Sequence, residues 1–571
     1  KGLIPMTTTK RHLIIGGVAG GASTAARLRR LDEHAEIIMF ERGPHVSFSN
    51  CCLPWHLSGT IADADTLVLM SPEQFWAQYR ITARTGHEVI AISPAEKTIT
   101  VKDVATGEAT TEAYDTLTLS PGAAAIRPQI PGIDTNHVFT IRNVVDIDAL
   151  QRHLVAKDAK EVVVVGAGFV GLEVAENLVH SGRKVTIIEA LPQVLSPLDP
   201  ELAAILHKEL VDQGADLHLG DSLVEIRNDE VELASGTVVK AEAVVMSVGV
   251  RPETALAKAA GLEIGTTGGI KVDENFRTSD PYIYAVGDAI EVTHRLTGKP
   301  SLLAMAGPAQ RQARTAADHI YGRPTRNRGV IGSSVVQVFD YTAASTGLNE
   351  KQATEAGIDF DYVYVIPGDS VGIMPDSKPL FFKLLFEKPT GRVLGAQAVG
   401  KGAADKRIDI IATLITMKGT LEDLADTELA YSPLYSTAKD VVIHAALVGQ
   451  NILNGEFEQV PVTKVRELVE SGAFIIDARE PDEYAAGHIR TAVNIPLSQF
   501  RDRLSEIPTD RPVYVHCRSS QRSYNQVRAL GQLGVGNAVN ISGSYLGICM
   551  EQWFEDQASN REPIVTEYNF A

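Results

Sequence analysis

Two stretches of this 571-residue chain read as the same unit, and a chain that carries the unit twice has few folds open to it. Arg11-His12-Leu13-Ile14-Ile15 is an apolar run that enters Gly16-Gly17-Val18-Ala19-Gly20-Gly21. A helix rich in Ala and Arg is expected over 22–31, and Ile37-Ile38-Met39-Phe40 ends on Glu41. Strand, glycine turn, helix, strand, acid is the order a dinucleotide needs. The turn and the helix N-terminus bring backbone N–H groups to a pyrophosphate, and the acid accepts from a ribose hydroxyl. Val18 stands where G-x-G-x-x-G has its middle glycine, so this copy is the less specific one. In the second copy, Glu161-Val162-Val163-Val164-Val165 leads into Gly166-Ala167-Gly168-Phe169-Val170-Gly171, a helix is expected over 172–181, and Lys184-Val185-Thr186-Ile187-Ile188 ends on Glu189. All three glycines and the acid are present. A carboxylate at Glu189 accepts from a ribose 2′-OH and repels a 2′-phosphate, which favours NADH, with NADPH as the alternative.

The length allows three or four domains, each able to bury a core. A net charge of -18 argues against a nucleic-acid partner. With no uninterrupted apolar run of about 20 residues, no membrane span is expected. The four cysteines are Cys51, Cys52, Cys517 and Cys549. They make no disulfide framework and suit reactive thiols in a reducing, cytoplasmic setting. No metal site is expected. The start, 1–10, lacks the apolar core of a signal peptide and reads as a tail.

Further on, Leu117-Thr118-Leu119-Ser120-Pro121-Gly122 is a strand ending in a turn. Thr278-Ser279-Asp280-Pro281-Tyr282-Ile283-Tyr284-Ala285-Val286-Gly287-Asp288 is a turn, a strand and an acid. With these pieces, 11–455 resembles the pyridine nucleotide-disulfide oxidoreductases, whose first nucleotide unit binds FAD and whose second binds NAD(P)H. The last segment opens with a helix over 463–471 and passes Phe474-Ile475-Ile476-Asp477-Ala478-Arg479. Val513-Tyr514-Val515-His516 then delivers Cys517-Arg518-Ser519-Ser520-Gln521-Arg522-Ser523. It resembles a rhodanese (sulfurtransferase) domain.

The resemblance implies an α/β chain with two Rossmann-like dinucleotide-binding domains, an α+β dimerisation domain and a C-terminal α/β rhodanese domain. The boundaries read as 11–145 and 245–327 for FAD, 146–244 for NAD, 328–453 for dimerisation, 454–463 as linker and 464–561 for the rhodanese. FAD is expected on Gly16, Gly17, Gly21, Glu41, Arg42, Ser47, Asn50, Val89, Ser120, Gly122, Arg142, Gly249, Gly287 and Asp288. NADH is expected on Gly166, Gly168, Gly171 and Glu189.

Cys51 lies in Ser47-Phe48-Ser49-Asn50-Cys51-Cys52-Leu53-Pro54, directly after the first nucleotide unit. The thiolate is the nucleophile, so the site is expected to lower the thiol pKa or supply positive charge. The run is similar to the single-cysteine branch of the family, which holds coenzyme A disulfide reductases, NADH oxidases and persulfide reductases. Cys52 stands where that branch has Gly; a resolving thiol and a mere space-filler are both open readings. Cys517 heads a loop whose N–H groups and arginines would hold a thiolate or persulfide anion. Cys549 reads as core, and Asp477, Arg479, Glu483 and His488 as framework.

Fusion to a rhodanese resembles the coenzyme A disulfide reductase–rhodanese enzymes that reduce persulfides and polysulfides. It implies catalytic roles for Cys51, Cys517, Tyr431 and Tyr435, and substrate contacts at Arg27, Arg30, Arg311, Arg518 and Arg522. It also implies a homodimer, with coenzyme A as a further ligand. The chain departs from that group at Trp76, Gln310 and Ile373-Met374-Pro375-Asp376. Those departures lie on the expected coenzyme A path, so a persulfide is expected ahead of coenzyme A disulfide. Two other readings are an NADH oxidase or peroxidase cycling through a Cys51 sulfenic acid, and a flavin-containing sulfur carrier or redox sensor.

Overall fold

The computed structural model describes residues 9–570, so most of the expected tail over 1–10 lies outside the described residues. The chain divides into two compact units, one from Lys1–Ile188 with Ser222–Val330, the other from Glu189–Asp221 with Ile331–Ala571.

In the first unit a parallel five-stranded sheet runs Ile283–Ala285, Thr116–Leu119, Arg11–Ile15, Glu36–Glu41, Thr82–Thr85. Arg11–Ile15 is buried at four of its five positions, as befits a central strand covered on both faces. Its register pairs Ile15 with Phe40, which sets Gly16 level with Glu41 at the strand ends. The following helix, Ala19–Leu31, begins earlier than its alanines indicate, with Gly20 and Gly21 in its first turn. They are needed there for close packing, since a Cβ on Gly21 would stand 1.8 Å from the Gly16 carbonyl oxygen. Arg29 and Arg30 close the helix at the end that favours positive charge. The second nucleotide sheet repeats the plan. Lys184–Glu189, Glu161–Val165, Ala243–Met246 and Val138–Phe139 are parallel neighbours.

The second unit holds an antiparallel sheet in the order Ser334–Val338, Tyr341–Gly347, Val393–Gly400, Leu380–Glu387, Phe360–Val365. The Leu380–Glu387 strand is buried along seven of its eight residues, Lys383 included. That ammonium is tolerated because Asp199 Oδ2 lies 2.9 Å away and Glu201 and Glu350 also bond it. A parallel sheet ends the chain, with order Glu458–Val460, Ala538–Ile541, Val513–His516, Phe474–Asp477, Val493–Asn494. The stretch 454–463, expected as a linker, thus supplies this sheet's edge strand. Among the described residues no helix is long and apolar enough to cross a membrane.

Candidate active site

The first glycine turn is shaped by backbone contacts that exclude side chains. Gly16 has φ +95°, and a Cβ there would sit 2.0 Å from the Ser120 carbonyl oxygen. A Cβ on Gly20 would meet Ser120 Oγ at 2.5 Å, and Gly287 lies against the same hydroxyl. Three strand ends therefore converge on one spot. Helix Ala19–Leu31 has no acid in its first turn and no side-chain cap, which leaves its N–H groups for an anion. Glu41 accepts from the N–H groups of Gly17 (3.1 Å) and Gly43 (2.9 Å), which fixes the carboxylate beside the turn. Asp288 faces Arg142 at 3.6 Å, and burial pushes its carboxyl upward. These residues fit the pyrophosphate and ribose of FAD. Arg42 pairs with Glu253, Gly249 is exposed, a Cβ on Gly122 would lie 3.9 Å from Arg142, and Val89 is buried in strand His87–Ser93. The sequence reading missed Gln312, whose buried side chain accepts from Gly287 N–H at 2.7 Å.

The second turn has the same geometry. Gly166 has φ +99°, and Cβ atoms on Gly166 and Gly171 would meet the carbonyl oxygens of Ser247 and Gly166 at 2.4 and 1.9 Å. Gly168 has nothing within 4 Å, so the open face of the turn can admit a pyrophosphate. Helix Phe169–His180 likewise starts without a side-chain cap or a first-turn acid. Glu189 ends its strand and accepts from Leu191 N–H at 2.9 Å.

Cys51 is held by a loop that folds back onto the first turn. Ser47 takes φ +48°, and its N–H donates to the Gly17 carbonyl at 2.8 Å. Asn50 and Cys51 then open a 3-10 turn, Asn50–His56. Cys51 is exposed, Cys52 half-buried, and both are free thiols. The expected positive surroundings of Cys51 are not what the chain supplies. Partial desolvation by the surrounding chain, then Glu173, Cys52 and Asp288, push its thiol upward. Glu173, which sequence reasoning missed, sits on helix Phe169–His180, packed against the thiol's turn. Burial raises its carboxyl to about 7. The one available signal was its place two residues past the last glycine of the second turn.

Cys517 lies at the end of strand Val513–His516 and is buried to 1%. Two helices begin at it, Gln521–Gln532 and Ser544–Ala558, neither with an acid in its first turn. The N–H groups of Tyr545 and Leu546 donate to the carbonyls of Cys517 and Arg518, which ties the loop to the second helix. Hydroxyls of Ser523 and Ser544 stand 3.6 and 3.9 Å from the sulfur. An anion on that sulfur meets helix N-termini and hydroxyl donors. Asp477 and Arg479 form a buried pair at 2.7 Å, and burial pushes the Cys549 thiol up to about 11.

The arginines expected at substrates are divided. Arg30 and Arg311 are exposed. Arg27 pairs with Asp318 at 2.5 Å, and Arg522 gives two nitrogens to Glu483. Arg518 is half-buried, and desolvation lowers its guanidinium pKa. Tyr431 and Tyr435 are 49% and 70% exposed and Ile373 90%. The loop carrying Tyr435 is fixed by buried Arg407, which donates to the Tyr435 carbonyl and pairs with Asp440 at 3.0 Å.

Two dinucleotide cradles, with a free thiol hung from the first, define an oxidoreductase of the two-nucleotide, thiol-dependent kind. Comparison with known proteins agrees. The description "Pyridine nucleotide-disulphide oxidoreductase" matches residues 10–313, its dimerisation domain 333–441 and a rhodanese-like domain 461–551. The chain belongs to the pyridine nucleotide-disulphide oxidoreductase family. It is 35% identical over 431 residues to a coenzyme A disulfide reductase of Staphylococcus epidermidis, covering 75% of this chain and 97% of that one. The structure of reduced Bacillus anthracis CoADR-RHD is 41% identical with a TM-score of 0.93, over 95% of this chain and 98% of that one. An NAD-dependent persulfide reductase from A. fulgidus is 34% identical with a TM-score of 0.89, over 94% and 99%.

Proposed function

We propose that the protein is an NADH-dependent FAD enzyme that reduces persulfide, polysulfide or coenzyme A-type disulfide substrates through Cys51, while Cys517 handles sulfane sulfur. The observation that carries this reading is the Ser47–Gly17 hydrogen bond, which hangs an exposed thiol from the dinucleotide turn. FAD, when bound, supplies an electron pair drawn from NADH. The chain's own part is to bind the two nucleotides at the glycine turns and to present Cys51 as nucleophile. Its thiolate attacks one sulfur of the substrate, forms a mixed disulfide and releases the other sulfur as a thiolate. A persulfide partner for Cys517 fits its helix-terminus, hydroxyl-lined pocket.

The dimerisation domain supports a homodimer, and the exposed side chains of Ile373, Tyr431, Leu434 and Tyr435 are the kind of surface a second copy would cover. Tyr431 or Tyr435 would then serve the partner's thiol.

The test is anaerobic NADH oxidation against small persulfides, coenzyme A disulfide and polysulfide. Cys51→Ser should abolish turnover with each of them while NADH still bleaches the flavin. Wild-type turnover by Cys51→Ser with all three acceptors would defeat the proposal. Cys517→Ser should keep small-persulfide reduction and lose sulfur uptake from thiosulfate.

A further inference from the structure

We propose that Ser520 frees the Ser544 hydroxyl to donate to Cys517 whenever that sulfur is charged, and so acts as a positioning residue for sulfur transfer. The inference rests on Cys517 handling sulfane sulfur and concerns what lets its charge come and go. Three features of the structure carry it.

The first is where the chain accepts strain. Ser520 has φ +77° and Ser544 φ +48°, the left-handed region that suits glycine. Both are buried, to 8% and 0% exposure. Residues held in such conformations gather at working sites. These two stand 24 positions apart and meet, Oγ to Oγ, at 3.2 Å.

The second is a carbonyl with two hydroxyls on it. The buried Ile541 has Ser520 Oγ at 3.2 Å and Ser544 Oγ at 3.3 Å from its carbonyl oxygen. A hydroxyl carries one proton and rotates to suit its acceptors. If Ser544 alone served that carbonyl, turning to the sulfur at 3.9 Å would strip a buried acceptor of its hydroxyl donor and cancel much of the gain. With Ser520 on the carbonyl, the Ser544 proton is free to turn. Ser544 keeps the Cys517 N–H as its own donor, at 3.2 Å, in either state.

The third is the same cover on the other side of the sulfur. Ser523 Oγ lies 3.6 Å from the sulfur and 3.1 Å from the Ser520 carbonyl oxygen. That carbonyl also accepts the Tyr524 N–H at 3.0 Å, so Ser523 can leave it without orphaning it. Ser520 thus stands behind both hydroxyls, one through its side chain and one through its main chain.

The steps balance with thiosulfate as donor and cyanide as acceptor. In loading, the Cys517 thiolate attacks the outer sulfur of thiosulfate, the S–S bond breaks and its electron pair leaves with sulfite. Cys517–S–S⁻ forms, the charge has moved off the cysteine sulfur, and the hydroxyls return to their carbonyls. In discharge, cyanide takes the outer sulfur as thiocyanate and the S–S pair returns to Cys517 as thiolate. The hydroxyls turn back as that charge develops, when a donor is worth most.

The test uses the full chain, loaded with thiosulfate and discharged with cyanide, with thiocyanate as the readout. Ser520→Gly suits the left-handed backbone, so it should melt no lower than the wild type while discharge slows about fivefold. Ser520→Ala, which keeps the Cβ and loses only the hydroxyl, should slow discharge to the same extent. Attack on thiosulfate moves charge away from the cysteine sulfur, so kcat/KM for thiosulfate should stay within about twofold in both variants. Each variant keeps the main-chain carbonyl, so its loss runs through Ser544 alone. Ser520→Gly combined with Ser544→Gly should therefore discharge no more slowly than Ser544→Gly by itself. A double variant slowed by the product of the two single effects overturns the proposal, as does wild-type discharge in Ser520→Gly or Ser520→Ala. A wild-type chain that takes no sulfur from thiosulfate onto Cys517 overturns the proposed role of Cys517 instead.

Discussion

Ser544 Oγ stands 3.2 Å from the Cys517 amide nitrogen and 3.9 Å from its sulfur. The residue is fully buried, and its backbone is left-handed, with φ +48°, a conformation that costs energy for any residue but glycine. The hydroxyl accepts the amide N–H and has the Ile541 carbonyl, at 3.3 Å, as a second acceptor for its own proton. Ser544→Gly should suit the backbone and remove the hydroxyl. Discharge of sulfur-loaded Cys517 by cyanide should slow about tenfold, the worth of a hydrogen bond to a charged sulfur. A stopped-flow discharge rate equal to the wild type would count against that contact.

Arg522 and Glu483 form a two-nitrogen, two-oxygen pair at 2.6 and 2.8 Å. The guanidinium is thereby spent on the framework. Arg522→Ala should lower stability by about 1 kcal/mol, since both side chains are about one-third exposed, and should leave the KM for thiosulfate within twofold. Arg518, which has no such carboxylate clamp, should raise that KM about tenfold on conversion to Ala. Steady-state kinetics on both variants would expose a reversed order.

Gly168 and Gly171 stand in one turn, yet substitution should act on them differently. Ala at Gly171 puts a Cβ 1.9 Å from a carbonyl oxygen, whereas Ala at Gly168 meets nothing within 4 Å. Gly171→Ala should therefore lose thermal stability along with activity. Gly168→Ala should keep its melting temperature and raise the KM for NADH about tenfold, because the new methyl stands on the open face of the turn. A normal KM in Gly168→Ala would place the pyrophosphate elsewhere.

Two buried histidines make stability depend on pH. Burial lowers His12 to about 4 and His207 to about 3, while the unfolded chain titrates near pH 6.5. The unfolded state thus binds more protons below that value. The stabilisation is complete above pH 6.5 and is lost as pH falls toward 4 for His12 and toward 3 for His207. In His207→Gln, which can still accept the Val194 N–H that His207 takes, the melting temperature should decline less steeply between pH 7 and 4.5. A decline parallel to the wild type in calorimetry would refute the assignment.

The two nucleotide units were legible in the sequence because their geometry is local. A glycine at φ +95° or +99° is asked for by the turn's own backbone, although the Ser120 and Ser247 carbonyls that crowd it come from distant stretches, and the strand–turn–helix order before and after it is written in consecutive residues. Cys517 was legible for the same reason, as strand, loop and helix follow one another in order. Partners were not legible, because charge pairing is settled by packing across long stretches of chain. Arg27 looks free in the sequence and finds Asp318, 291 positions away. Arg522 looks like an anion donor and is clamped by Glu483, 39 positions back. The stretch 454–463 looks like a linker until Glu458–Val460 pairs with Ala538–Ile541. Glu173 reads as one more polar residue on a nucleotide-unit helix, and only the packing of that helix on the turn of Cys51 brings its charge to the thiol. Backbone conformation is decided by sterics over a few residues. The charge felt by a thiol is decided by whatever the fold brings near it and by how much water it removes.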